Sequence, residues 1–156
     1  MSELSTIIGH PRRWFILSIL TLSLVMVVAS VSSMNLALPA IQRGLNATAS
    51  QIVWINASYA LMLAAILLPA GALGDRFGRR GALLVGLGIM LTGAVLGATS
   101  DSAAQIIAWR CLMGVGAGLV MPATLSILTT VFPANERSRA IAIWAGFAGA
   151  GGAIGI

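Results

Sequence analysis

"GALGDRFGRR" (residues 71–80) sets one acid, three arginines and three glycines between two long apolar runs. Charge is scarce elsewhere. The 156-residue chain is 58% hydrophobic and 8% charged, where a soluble domain carries about 25% charged residues. Such a chain cannot cover a water-facing surface, so it reads as an all-α integral membrane protein. The net charge is +5, and all nine basic residues are arginines. In a soluble protein this excess would point to nucleic acid; beside apolar spans it records topology instead. The one cysteine, Cys111, lies inside an apolar run and reads as a small core residue.

Outward from 71–80 the chain divides into five apolar segments, at about residues 14–38, 52–73, 81–99, 103–131 and 140–156. Crossing a bilayer takes about 20 apolar residues. The first four segments meet this, and the fifth is still apolar at Ile156, as if cut short. The first follows Arg12 and Arg13 as a signal peptide would, but its run is long for that purpose and four more follow it. Residues 1–13 form an N-terminal tail. With that tail in the cytoplasm, one side of the membrane holds Arg12, Arg13, Arg76, Arg79, Arg80, Arg137 and Arg139, and the other holds only Arg43. The asymmetry predicts a multi-pass protein of the plasma (inner) membrane with a cytoplasmic N-terminus. Residues 71–80 are then the cytoplasmic link between spans two and three, and "FPANERSRA" (132–140) is the link between spans four and five.

Topology accounts for the three arginines. It does not account for Asp75, because acids contribute little to the inside rule. Nor does it account for Gly71, Gly74 and Gly78, which suit turns and close backbone approach. Gly71, Leu73, Asp75, Arg76, Gly78, Arg79 and Arg80 together resemble the G-x-L-a-D-r-x-G-r-[KR] motif of the major facilitator superfamily, which lies between the second and third helices of its members. The resemblance implies a gating role, in which the acid and the arginines tie helix ends together and hold one access state closed.

Further segments resemble the same superfamily. "IIAWRCLMGVGAG" (106–118) is similar to its fourth-helix pattern, with Arg110, Gly114, Gly116 and Ala117 in place. "NLALPAI" (35–41), "QIVWINASYAL" (51–61) and "FPANERSRAIAIW" (132–144) look like parts of the fourteen-helix drug:proton antiporters. The implied fold is helices 1–5 of a transporter bundle. The implied function is secondary active transport of small lipophilic molecules by alternating access, of the multidrug efflux type, with proton coupling and no cofactor.

Arg110 lies about seven residues into the fourth span, roughly 10 Å deep. An arginine mid-span costs about 2.5–3.5 kcal/mol on insertion scales. It either snorkels to the interface or faces the transport cavity, where it can hold an anionic group or tune a carboxylate. The resemblance links this position to proton transfer. However, the acid of the family's first helix is replaced here by Ser30, and none of Glu3, Asp75, Asp101 and Glu136 falls within a span. Ser30, Ser32, Ser33 and Asn35 leave a polar patch there, suited either to helix–helix hydrogen bonds or to lining a cavity. Ser30, Ser33, Asn35, Asn56, Tyr59 and Arg110 are the pathway candidates. Asn46 and Asn56 begin N-x-[ST] triplets, to which we assign no function.

The fifth segment, "GFAGAGGAIGI" (146–156), resembles the antiporter glycine motif, with Ile156 where a proline belongs. Gly93 and Gly97, Gly114 and Gly118, and Gly151 and Gly155 are small-xxx-small pairs that read as close packing. No metal cluster or dinucleotide loop emerges, so an enzyme is not expected. The competing expectations are a truncated chain that needs its missing C-terminal helices or a partner half, and a structural membrane subunit.

Overall fold

The computed structural model describes residues 10–154, apart from the side chains of Leu73, Asp75, Phe77 and residues 151–154. Among the described residues there are five α-helices: α1 (Arg13–Gly44), α2 (Ala49–Phe77), α3 (Arg79–Ala98), α4 (Ala103–Val131) and α5 (Ala134–Ile154). The fold is all-α, as lipid demands when every backbone N–H and C=O must be satisfied within its own segment. Helices α1 to α4 are long and apolar enough to cross a membrane.

Two helix starts are written locally. Thr48 caps α2 in a reciprocal box: Gln51 N–H donates to Thr48 Oγ1 at 3.3 Å, and Thr48 N–H donates to Gln51 Oε1 at 2.9 Å. At α4, Ser102 Oγ accepts from Gln105 N–H at 3.4 Å. The helices also overrun the apolar segments. Helix α1 passes through Pro39 to Gly44, and α2 begins at Ala49. A proline removes one helical donor and clashes one turn back, yet it ends a helix only if no other contact holds the line. Beyond it, Arg43 Nε donates to the Pro39 carbonyl at 3.1 Å.

The stretch 71–80 is not the open link its composition suggests. Residues 71–77 are the last turns of α2, α3 begins at Arg79, and Gly78 alone joins them. Its φ of 92° is the left-handed conformation that costs an L side chain strain and glycine none. Gly71 and Gly74 do not mark close backbone approach: a Cβ on Gly71 would meet nothing within 4 Å, and one on Gly74 only Ala82 Cβ at 4.0 Å. Polarity ends the apolar run here, but it does not end the helix, whose hydrogen bonds are internal.

Helix α4 is the hub, packed along both α2 and α3, while α1 lies against α5 and α4. Glycine decides these approaches. A Cβ on Gly114 would sit 2.5 Å from the Tyr59 carbonyl oxygen, and one on Gly118 would sit 2.9 Å from Ile66 Cβ, so this side of α4 takes α2. Gly116 faces α3, where its Cβ would fall 2.6 Å from the Gly86 carbonyl oxygen. The expected pair Gly93 and Gly97 splits: Gly93 is crowded by Met113 Cγ at 2.6 Å, whereas Gly97 has only ordinary contact with Trp109 Cβ at 3.8 Å. The packing of Gly151 and Gly155 lies outside the described residues.

Candidate functional site

Arg110 is 2% exposed in the interior of the helix cluster. Its Nε donates to the Ile55 carbonyl of α2 at 3.2 Å, and its Nη1 to the Ser30 carbonyl of α1 at 3.2 Å. Its Cζ stands 4.3 Å from the centre of the Tyr59 ring, within cation–π range. Nη2 is buried with no hydrogen-bond partner among the described residues. Arg110 therefore does not snorkel; it cross-links α1, α2 and α4.

The sequence makes this reach available through register. Gly114 is one turn after Arg110, and Tyr59 is one turn after Ile55. The bare face of Gly114 against the Tyr59 carbonyl draws the two helices together at this level. Arg110 then spans the short remaining gap to Ile55. Each carbonyl has a second lone pair to offer beyond its own helical bond.

Tyr59 is 2% exposed. Its hydroxyl donates to the Val27 carbonyl at 3.1 Å and lies 3.3 Å from Ser30 Oγ. Ser30 Oγ donates to the same Val27 carbonyl at 2.7 Å. Beside this group lies a cavity of about 580 Å³ between α1, α3 and α4, lined by Ser30, Ser33, Met34, Trp109, Arg110 and Met113 among others. Asn35 and Asn56 stand apart. Asn56 Nδ2 donates to Asn35 Oδ1 at 2.7 Å, bridging α1 to α2. The six pathway candidates thus separate into a four-residue cluster around Arg110 and a two-residue bridge.

At the other end of the bundle, Arg79 Nη1 donates to Thr130 Oγ1 at 2.7 Å and to the Ser126 carbonyl at 3.1 Å, both on α4. Arg76 and Arg80 are exposed, and the side chains of Leu73 and Asp75 lie outside the described residues. The same end holds an ion pair that sequence reasoning misses, between Arg13 and Glu136 at 2.7 Å. The hydrogen bond from Arg13, followed by the Arg13 and Arg139 charges, outweighs partial desolvation and holds the Glu136 carboxyl below its ordinary range. The carbonyl partners of Arg110 escape sequence reasoning too, since backbone groups leave no trace in residue identity. The T-x-x-Q at 48–51, by contrast, is a legible signal for a helix start.

The sequence matches the Major Facilitator Superfamily over residues 20–156. It is similar to the tetracenomycin C resistance and export protein of Streptomyces glaucescens, at 39% identity over 92% of this chain and 27% of that protein. It is 38% identical to the multidrug efflux pump LfrA of Mycolicibacterium smegmatis, over 97% of this chain and 30% of that protein. The methyl viologen resistance protein SmvA of Salmonella typhimurium is 33% identical over 92% of this chain and 29% of its own length. The chain therefore spans less than a third of these relatives.

Proposed function

Because the chain belongs to the Major Facilitator Superfamily and is a multi-pass membrane protein, we propose that it supplies the first helices of a secondary carrier that exports small lipophilic molecules. It works by transport rather than catalysis. One helical bundle rocks against another around a site near the middle of the membrane, exposing it to each side in turn. In this reading the N-terminus is cytoplasmic, the membrane is the plasma membrane, and residues 71–80 belong to the cytoplasmic gate.

The observation that carries the proposal is Arg110 beside the 580 Å³ cavity, a buried cation whose Nη2 has no partner among the described residues. A buried charge of this kind is expensive in lipid and marks a functional pathway by default. Two of the relatives, a resistance and export protein and an efflux pump, support the export direction. Ser30 has no titration available at physiological pH, so either proton coupling uses a carboxylate outside these spans or the carrier is not a proton antiporter.

The test is dye accumulation in cells expressing the complete gene. Wild-type protein lowers accumulation of a lipophilic fluorescent dye, and Asp75→Asn raises it to the empty-vector level at unchanged membrane abundance. Accumulation that ignores wild-type expression sinks the carrier reading; wild-type export by Asp75→Asn removes Asp75 from the gate.

A further inference from the structure

The start of α1 and the turn from α4 into α5 make a cluster of contacts that the transport reading leaves unused. Arg13 Nε donates to Glu136 Oε2 at 2.7 Å, and Arg13 Nη2 donates to Glu136 Oε1 at 3.1 Å. This is the two-pronged geometry in which a guanidinium grips a carboxylate most specifically. His10 N–H donates to the Val131 carbonyl at 3.1 Å. The Trp14 ring meets Phe132 edge-to-face, with centroids 5.3 Å apart at 83°. Arg139 Cζ stands 5.6 Å from the centre of the Trp14 ring. Phe132 is 2% exposed and Ala140 fully buried, so the cluster closes over a dry patch that joins the core at Leu17 and Leu20.

An exposed ion pair alone is weak evidence for anything. Here the pair's side chains are only 22% and 29% exposed, and a backbone bond and two ring contacts act on the same two segments. Glu136 also sits in the first turn of α5, where a carboxylate suits the positive end of the helix dipole.

We propose that Arg13 and Glu136 are positioning residues that rivet α1 to α5, so that the two helices move as one body during the transport cycle. The proposal rests on the carrier reading for its export consequence, but the rivet is a claim about α1 and α5 alone. Helix α1 carries Ser30 and Ser33 on the cavity wall. Arg13 stands at the far end of that helix, roughly 25 Å from Ser30, so loosening it slows the rocking step more than it weakens substrate binding.

The experiment uses the complete gene product with every native cysteine, Cys111 among them, replaced by serine and with Ala140→Cys added, in inside-out vesicles, labelled with a membrane-impermeant maleimide. The thiol introduced by Ala140→Cys stays protected in the parent, labels in Arg13→Glu and in Glu136→Arg, and is protected again when both reversals are combined. Unchanged labelling in the single variants, or no recovery in the combined one, overturns the rivet whether or not the protein exports. In the export arm, the single variants lower the maximal rate by about tenfold with KM within about twofold, and the double reversal restores it. Joining Arg13→Cys to Glu136→Cys with a short bis-methanethiosulfonate cross-linker raises the rate from the slow level of the unjoined pair towards that of the parent. Export that halts on cross-linking and returns on reduction shows that this contact opens in the cycle, and overturns the proposal. Absence of export in the parent condemns the carrier reading while the labelling result stands.

Discussion

Arg110 shows most clearly what a single residue can reveal by itself. Its depth and cost are plain from its place in an apolar run, and both point to function. What it does is not plain there, because its partners are the carbonyls of Ser30 and Ile55, and every residue has a carbonyl. Removing a buried charge in favour of an apolar side chain of similar length often leaves stability unchanged or raises it. We therefore expect Arg110→Met to insert normally, with a melting temperature in detergent at or above that of the parent, and to lose export. Lost insertion together with lost export marks Arg110 as structural instead. Tyr59 stands out in the sequence by type and position; its hydroxyl bond to Val27 follows only from how α1 crosses α2.

Among the helices, α4 carries the clearest sequence-to-packing relation. Its glycines at 114, 116 and 118 place bare backbone on two sides, one for α2 and one for α3. The pair Gly114 and Gly118 is legible as a small-xxx-small motif. The role of Gly116 against Gly86 is not, since it needs two helices and their rotation. Gly114→Ala must push against a carbonyl oxygen 2.5 Å away, which should cost about 1–3 kcal/mol and lower the melting temperature. Gly88→Ala, with nothing within 4 Å of its Cβ, should leave the temperature unchanged or slightly higher, since alanine favours helix over glycine. Equal effects of the two substitutions contradict the packing read from α4. Residues 71–80 teach the converse lesson. Charge and glycine suggest a loop, but only Gly78 breaks the helix, because helical bonds do not depend on lipid around them.

Across the whole molecule, the ends of distant segments are held by charge. Glu136 has its carboxyl lowered by Arg13, so the contact is fully formed above the ordinary glutamate value of 4.5 and is lost as pH falls below it. The melting temperature in detergent should therefore hold from neutrality down to about pH 5 and fall in more acid solution. Glu136→Gln should remove that pH dependence, and a parent profile flat to acid pH would contradict the pairing. The apolar runs and the gathering of arginines in alternate links between them are written in the sequence, because each depends on a run of neighbours along the chain. The family was legible for the same reason, from seven residues at fixed spacing in 71–80. The tertiary structure alone decided that Arg13 meets Glu136 across a separation of 123 residues. It alone decided that Arg110 is gripped by two other helices. Those contacts depend on how helices rotate and cross; for Arg110 the crossing of α4 with α2 is set by the bare face of Gly114 against the Tyr59 carbonyl, a meeting no local pattern records.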